Sequence, residues 1–335
     1  MVDCKYDGQA GQEAARPPAA GPLALRDPQP YLSNFAGALI DVCFTGPGPF
    51  TARQTQAQLP HIWLADIKEV LPRIARLSLP AQRTVALFAT DADPKQFCDG
   101  VKLGPWDVML LHGCDGTVHH RMHGPGSWGL IAVDQTAFIT HSQALSGSDA
   151  GLSRPRSILR PTWSAAARLR QLHAKICDLA ATTPSIMSHS EAVRALENEV
   201  LHALVNCLAG SGDHVPSPRR HVKIIEAFDR VLTLRLSEPL TVAGISAEIG
   251  VPERTLRACC LDILGMSPGR YLRLRRLNMV RAALQQSQPA PGSVSELAKR
   301  YGFSELGRFA AAYRETFGET PSTTLRSPNL HRRGR

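Results

Sequence analysis

The sequence predicts an α+β chain of two domains. An N-terminal β-sandwich or barrel with a helical pair precedes a C-terminal all-α domain built on a double helix-turn-helix. Three observations carry this prediction. Short apolar or alternating runs, separated by Gly, Pro and Asp clusters, fill residues 31–135. Beyond residue 162 the apolar period changes to that of a helix. The last third repeats itself at an offset of 52 to 53 residues. A length of 335 residues suits two domains and a connector.

Residues 1–30 contain acidic side chains and no apolar core segment, so they read as a flexible tail and not as a secretory signal. The strand candidates are "ALIDVCF" (38–44), "FTARQTQAQL" (50–59), "HIWLADIKEV" (61–70), "TVALFAT" (84–90), "WDVMLLH" (106–112), "TVHHRM" (117–122) and "WGLIAV" (128–133). Seven such segments make a β-rich domain over 31–160. Within it, "HGCDGTVHHRMHG" gathers His112, Cys114, His119, His120 and His123. His and Cys are first-choice metal ligands. The cluster lacks an H-x-H with a downstream Glu, and neighbours such as His119 and His120 point to opposite faces of a strand. A solvated hairpin accounts for it more simply, so no metal, cofactor or catalytic residue is assigned. Trp63, Trp106 and Trp128 are candidates to line an effector pocket, the plainer alternative being core aromatics.

Two amphipathic helices follow at about 163–181 and 190–209, a helical pair spanning 161–210. The second repeats Val193, Leu196, Val200, Leu204 and Leu208 at helical spacing. This pair either packs onto the β-domain or joins a homodimer. Residues 211–220, in "AGSGDHVPSPRR", read as the interdomain linker.

The charge of the chain is concentrated after this linker. From Arg219 onward there are 20 Lys+Arg, 18 of them Arg, against 10 Asp+Glu, while the rest of the chain is nearly neutral. Such an excess reflects either an Arg-rich codon bias or a phosphate-binding surface. No stretch is apolar enough to span a membrane, and eight irregularly spaced Cys suit a reducing cytoplasm.

"TVAGISAEIGVPERTLRACCLDILGMSP" (241–268) aligns with "SVSELAKRYGFSELGRFAAAYRETFGETP" (293–321). Thr241 and Ser293 are candidate N-caps, the latter with Glu296 in a capping box, and Gly250 and Gly302 stand where a helix ends at positive φ. Leu256, Cys260 and Leu264 match Phe309, Tyr313 and Phe317 as the buried stripe of the second helix in each copy. These are two helix-turn-helix motifs, at 241–262 and 293–316. Between them, "SPGRYLRLRRLNMVRAALQQ" reads as one helix of roughly 30 Å. That length places two recognition helices in successive major grooves, about 34–36 Å apart.

The segment 221–326 closely resembles the DNA-binding domain of the AraC/XylS transcriptional regulators. The residues concerned are "LTVAGISAEIGV…TLR", "GMSPGRYLRLRRL…R" and "YGF…F…Y…FGETPS…LR". The resemblance implies seven helices with two helix-turn-helix motifs on a shared linker helix, and double-stranded DNA as partner. It further implies a bacterial, cytoplasmic regulator, more often an activator, that contacts RNA polymerase. The usual partner domain is a small cupin-like barrel that binds a small-molecule effector, and the region at 161–210 often dimerises.

On the first recognition helix, Arg254 and Arg257 match positions that face base edges in the family. Three residues apart, they are neighbours on one face and suit bidentate contacts to guanine. The repeat places Gly307 at the position of Arg254 and Ala310 and Ala311 at those of Arg257 and Ala258. The second helix has lost these donors, leaving Arg308 to reach a base or a phosphate. The first half therefore reads sequence while the second mainly docks, with the helix N-terminus beginning at Ser304 offered to a phosphate. Backbone contacts are assigned more weakly to Glu253, Thr255, Ser304, Gly307, Arg276 and Arg281; the last two match family positions that are largely structural. Three departures from the family pattern are Pro252 at the N-cap, Gly307 with Ala311 on the second helix, and the long connection at 286–293. Residues 327–335 form a basic tail.

The competing class is an enzyme, a metal cupin or an alkyl-transfer DNA-repair protein, fused to a DNA-binding module. The repair type needs a reactive P-C-H-R segment, which is absent, and the cupin type needs a complete metal triad.

Overall fold

The computed structural model describes residues 23–25, 38–113, 116–146, 156–209, 211, 213–216, 218–235, 238, 240–286 and 293–326. Cys114, the connection at 287–292, the basic tail at 327–335 and most of the tail at 1–30 lie outside the described residues.

The β-domain is two antiparallel sheets. The larger has the order β1 (Leu23–Leu25), β3 (Ala52–Gln58), β4 (Ile62–Glu69), β11 (Gly126–Asp134), β6 (Arg83–Ala89), β9 (Val108–His112), β12 (Ser157–Arg160), β13 (Asp213–Pro216). The smaller has the order β2 (Leu39–Phe44), β5 (Arg73–Ser78), β10 (Val118–Met122), β7 (Gln96–Cys98), β8 (Val101–Lys102). All seven expected strands are present, shifted at their ends by up to two residues. Two expectations need correction. Leu23–Leu25 of the tail pairs with β3, and Asp213–Pro216 of the linker pairs with β12, so the linker is stitched to the sheet.

The central strands of the larger sheet are buried on both faces. On β4, Trp63, Ala65 and Ile67 face the smaller sheet, while Ile62 and Leu64 face a layer of helices. That two-sided burial explains the near-continuous apolar run in the sequence. The helical layer is α1 (Gln135–Ser146), α2 (Trp163–Thr182) and α3 (Ser190–Ala209). Leu169, Ile176, Val200 and Leu204 of the last two are packed against Leu64, Phe88 and Leu110. The expected helical pair is thus a cover for the sheet, and Thr162 caps its first member through the Ala165 N–H.

β5 was not legible as a strand because "RIARLS" puts Arg73 where an apolar side chain would be expected. Arg73 is buried inside the β-domain, held bidentately by Glu69 at 2.6 and 2.9 Å. Trp128 donates its indole N–H to the same carboxylate at 2.7 Å, and Arg73 also donates to the His120 carbonyl at 3.1 Å.

The C-terminal domain has seven helices among the described residues: α4 (Arg219–Arg235), α5 (Val242–Glu248), α6 (Glu253–Leu264), α7 (Pro268–Gln286), α8 (Ser293–Arg300), α9 (Leu306–Phe317) and α10 (Pro321–Arg326). The outer face of the smaller sheet is buried against it. Cys43 and Ile74 join a core with Phe228, Leu256, Cys260 and Tyr271.

Candidate nucleic-acid interface

Each helix-turn-helix is built by local rules. Thr241 caps α5 by accepting from the Gly244 N–H at 3.1 Å. Gly250 and Gly302 close the two turns at φ 71° and 81°, which L side chains adopt only with strain. α6 and α9 then bury Leu256, Cys260 and Leu264, and Phe309, Tyr313 and Phe317, the stripes the repeat predicts. Both helices end on left-handed glycines, Gly265 and Gly318, whose N–H groups bond Leu261 and Arg314 carbonyls at 3.1 and 2.8 Å. Between the copies, α7 is 19 residues long, about 28 Å.

The opposite face of α6 is exposed at Glu253, Arg254, Arg257 and Ala258, with Thr255 half-buried. Neither Arg254 nor Arg257 enters an ion pair or hydrogen bond among the described residues, so both guanidinium forks are open to a partner. Pro252 supplies no side-chain cap, leaving the first N–H groups of α6 without a side-chain acceptor from it.

On α9 the exposed face is Gly307, Arg308, Ala310, Ala311 and Arg314. Nothing lies within 4 Å of where a Cβ on Gly307 would be. The helix begins at Leu306 with Glu305 as N-cap, so Ser304 lies before the helix and not at its first turn as expected. Arg308 is paired with Glu305 at 3.0 Å, and both are well exposed. Arg314, one turn beyond Ala310 and Ala311, adds a basic residue to this face where α6 has Leu261 at the matching position.

Arg276 and Arg281 are engaged within the domain. Arg276 donates to the Glu238 carbonyl at 2.6 Å, and Arg281 pairs with Glu319 at 3.2 Å while lying over the Phe317 ring. A cleft of about 290 Å³ runs between α7 and the start of α9, edged by Arg273, Arg276 and Arg308.

The histidine cluster is not a solvated hairpin. His112, His119 and His120 are buried, and only His123 is exposed, stacked on Phe97. His120 faces the interior, its Nε2 3.2 Å from Gln96 Oε1, and burial together with Arg73 holds it neutral. His119 faces the C-terminal domain, its Nε2 2.6 Å from Asp229 Oδ2. No group of three or more His, Cys, Asp or Glu among the described residues is placed to hold a metal ion.

The three tryptophans do not share a pocket. Trp63 and Trp128 are core residues of the β-domain, and the cavity beside Trp63 is about 10 Å³, room for one water. Trp106 is 38% exposed and edges an open groove of about 710 Å³ between α2 and strands β3 and β4. Arg170 lies over its ring at 4.9 Å, and Arg53 and Lys68 line the same groove.

Residues 245–327 match the helix-turn-helix domain family. Over 103 residues the chain is 50% identical to the XylDLEGF operon transcriptional activator 3 of Pseudomonas putida, covering 30% of this chain and 31% of that one. A probable thc operon regulatory protein of Rhodococcus erythropolis is 40% identical over 96 residues, 29% of each chain. A longer match, 29% identical over 245 residues, joins 65% of this chain to 73% of the XylDLEGF operon transcriptional activator of Pseudomonas putida. The C-terminal third of the chain is thus similar to the helix-turn-helix domain of these AraC/XylS-type regulators. It spans less than a third of the length of the first two relatives. The AraC-like transcriptional activator CuxR aligns over 78% of this chain and 94% of its own, at 17% identity and a TM-score of 0.42. No helix among the described residues is long and apolar enough to cross a membrane.

Proposed function

We propose that this chain is a transcriptional activator that binds double-stranded DNA through α6 and α9, contacts RNA polymerase, and responds to a small-molecule effector held by the N-terminal domain. The observation that carries the reading is the exposure of Arg254 and Arg257 on α6, both free of intrachain partners among the described residues. An Arg fork left open on a recognition helix matches the O6 and N7 acceptors of guanine, a contact that discriminates by about 1–3 kcal/mol. On α9 the same positions are Gly307 and Ala310, so this helix approaches the duplex closely and adds position more than sequence. Arg308, Arg314 and the cleft edged by Arg273 supply phosphate contacts beside it.

For the effector, the open groove beside Trp106 offers space that the filled β-interior does not. The reading of an enzyme fused to a DNA-binding module has no observation in its favour. Capture of genomic fragments by the purified full-length protein tests the proposal. One enriched motif, lost as salt rises, is the expected result; capture without any motif would sink it.

A further inference from the structure

The two recognition helices share more than α7. Their repeat-related C-terminal glycines, Gly265 and Gly318, both rest on the β-domain. The Arg121 guanidinium of β10 occupies the place that a Cβ on Gly265 would take. A Cβ on Gly318 would lie 3.6 Å from the Gly48 nitrogen and 3.8 Å from the Pro47 side chain, in the loop between β2 and β3. Arg121 is itself held from behind, over the Phe97 ring at 4.3 Å. Burial lowers the pKa of its guanidinium, and in front Asp262 and the negative end of α6 act against that loss. Gly100 closes on the same helical turn, a Cβ there falling 2.7 Å from the Asp262 carbonyl oxygen.

α7 is pinned to the same sheet between these two points. Asn278 accepts from the Phe44 N–H at 3.0 Å and donates to the Phe44 carbonyl at 3.2 Å. Arg275 pairs with Asp41 at 2.6 Å. Each recognition helix is therefore held at two places, against α7 and against the β-domain.

Magnitudes show why one support is too few. Packed helices scatter by about 15° in crossing angle. Over a recognition helix of 12 residues, about 18 Å long, that swing moves the tip by about 5 Å. Successive base pairs are about 3.4 Å apart. A helix held by α7 alone could slip by a base pair; one braced at its far end could not.

We propose that the smaller sheet is the template that sets the separation of the two recognition helices, with Arg121 as the positioning residue for α6 and the Pro47–Gly48 loop as its counterpart for α9. The protein then reads the spacing of its two half-elements as well as their sequence. The inference rests on the reading of α6 and α9 as a DNA-binding pair.

The test is equilibrium binding of the full-length protein to its captured motif and to the same duplex with one base pair inserted between the half-elements. Wild type loses at least about tenfold on insertion, since one half-element falls out of register. Arg121→Ala binds the parent duplex within about threefold and loses less than about threefold on insertion, while Arg121→Lys, which keeps the charge, restores most of the penalty. Pro47→Gly, which removes the Cβ that faces Gly318 at an exposed position, relaxes spacing from the other side and remains available if Arg121→Ala does not fold. Variants that keep the full wild-type penalty overturn the inference, as does a wild type indifferent to the insertion. A wild type with no motif at all overturns the DNA reading, and this inference with it.

Discussion

His119 on β10 and Asp229 on α4, 110 residues apart in sequence, meet at 2.6 Å in the buried seam between the two domains. Burial alone would keep His119 neutral. The charge and hydrogen bond of Asp229, with Asp99 on the other side, outweigh it and raise the histidine to about 9. Burial opposes the charge of Asp229, but His119, with Arg76 and Arg275 beside it, outweighs that and lowers its pKa; it also accepts from the Tyr271 hydroxyl at 3.3 Å. Arg156 completes the seam, 3.5 Å from Asp99 and 3.0 Å from Glu226.

The sign of the pH dependence follows. A histidine raised above its ordinary value of 6.5 contributes stability that is complete below that value and lost as pH rises through about 9. Melting temperature should fall between these limits. Replacing His119 with Gln removes this titration, so the variant's curve should be flatter there, although lower throughout. Parallel curves for both proteins would show that His119 does not carry the charge.

Arg254→Ala and Arg257→Ala should each cost about 1–3 kcal/mol on the captured motif and little on unrelated duplex. Arg308→Ala, whose guanidinium is already shared with Glu305, should weaken all sequences evenly and lower the salt slope by about one. Anisotropy titrations at several salt concentrations separate the two behaviours. A motif that survives the Arg254→Ala/Arg257→Ala double substitution would place the sequence readout on α9.

Much of the C-terminal domain is legible in the sequence because its rules are local. Gly250 and Gly302 each mark a positive φ, and the buried stripes recur within one helix. The seam and the β-interior are not legible, because their polar residues are buried by partners far along the chain. "TVHHRM" looks like a wet hairpin until α4 brings Asp229 to His119 and β7 brings Gln96 to His120. Ser304 is the better cap by residue type, yet α9 starts one residue later, with Glu305 as N-cap and no side-chain bond.

Gly307 separates stability from function. Its Cβ would meet nothing within 4 Å, so Gly307→Ala should stabilise α9 by about 1 kcal/mol, read as a rise in melting temperature. If the duplex backbone comes close to this face, the same methyl group should weaken DNA binding. A more stable protein with unchanged affinity would mean that α9 stands off the DNA.

The buried pair of Arg73 and Glu69 predicts a contrast between single and double substitution. Arg73→Met takes away the guanidinium that pairs with the buried Glu69 carboxylate, and should cost about 3–5 kcal/mol. Glu69→Leu leaves the buried guanidinium without its carboxylate, beside the His120 carbonyl and Nδ1, and should cost a similar amount. The double variant removes both charges at once and should recover most of the loss, since two apolar side chains of similar volume suit a buried site beside Trp128. Denaturant unfolding of the four proteins closes the cycle and gives the coupling directly. A double variant as unstable as the sum of the singles would mean that the pair holds its neighbours Trp128 and His120 in place, and that the β-domain depends on this polar centre for its packing.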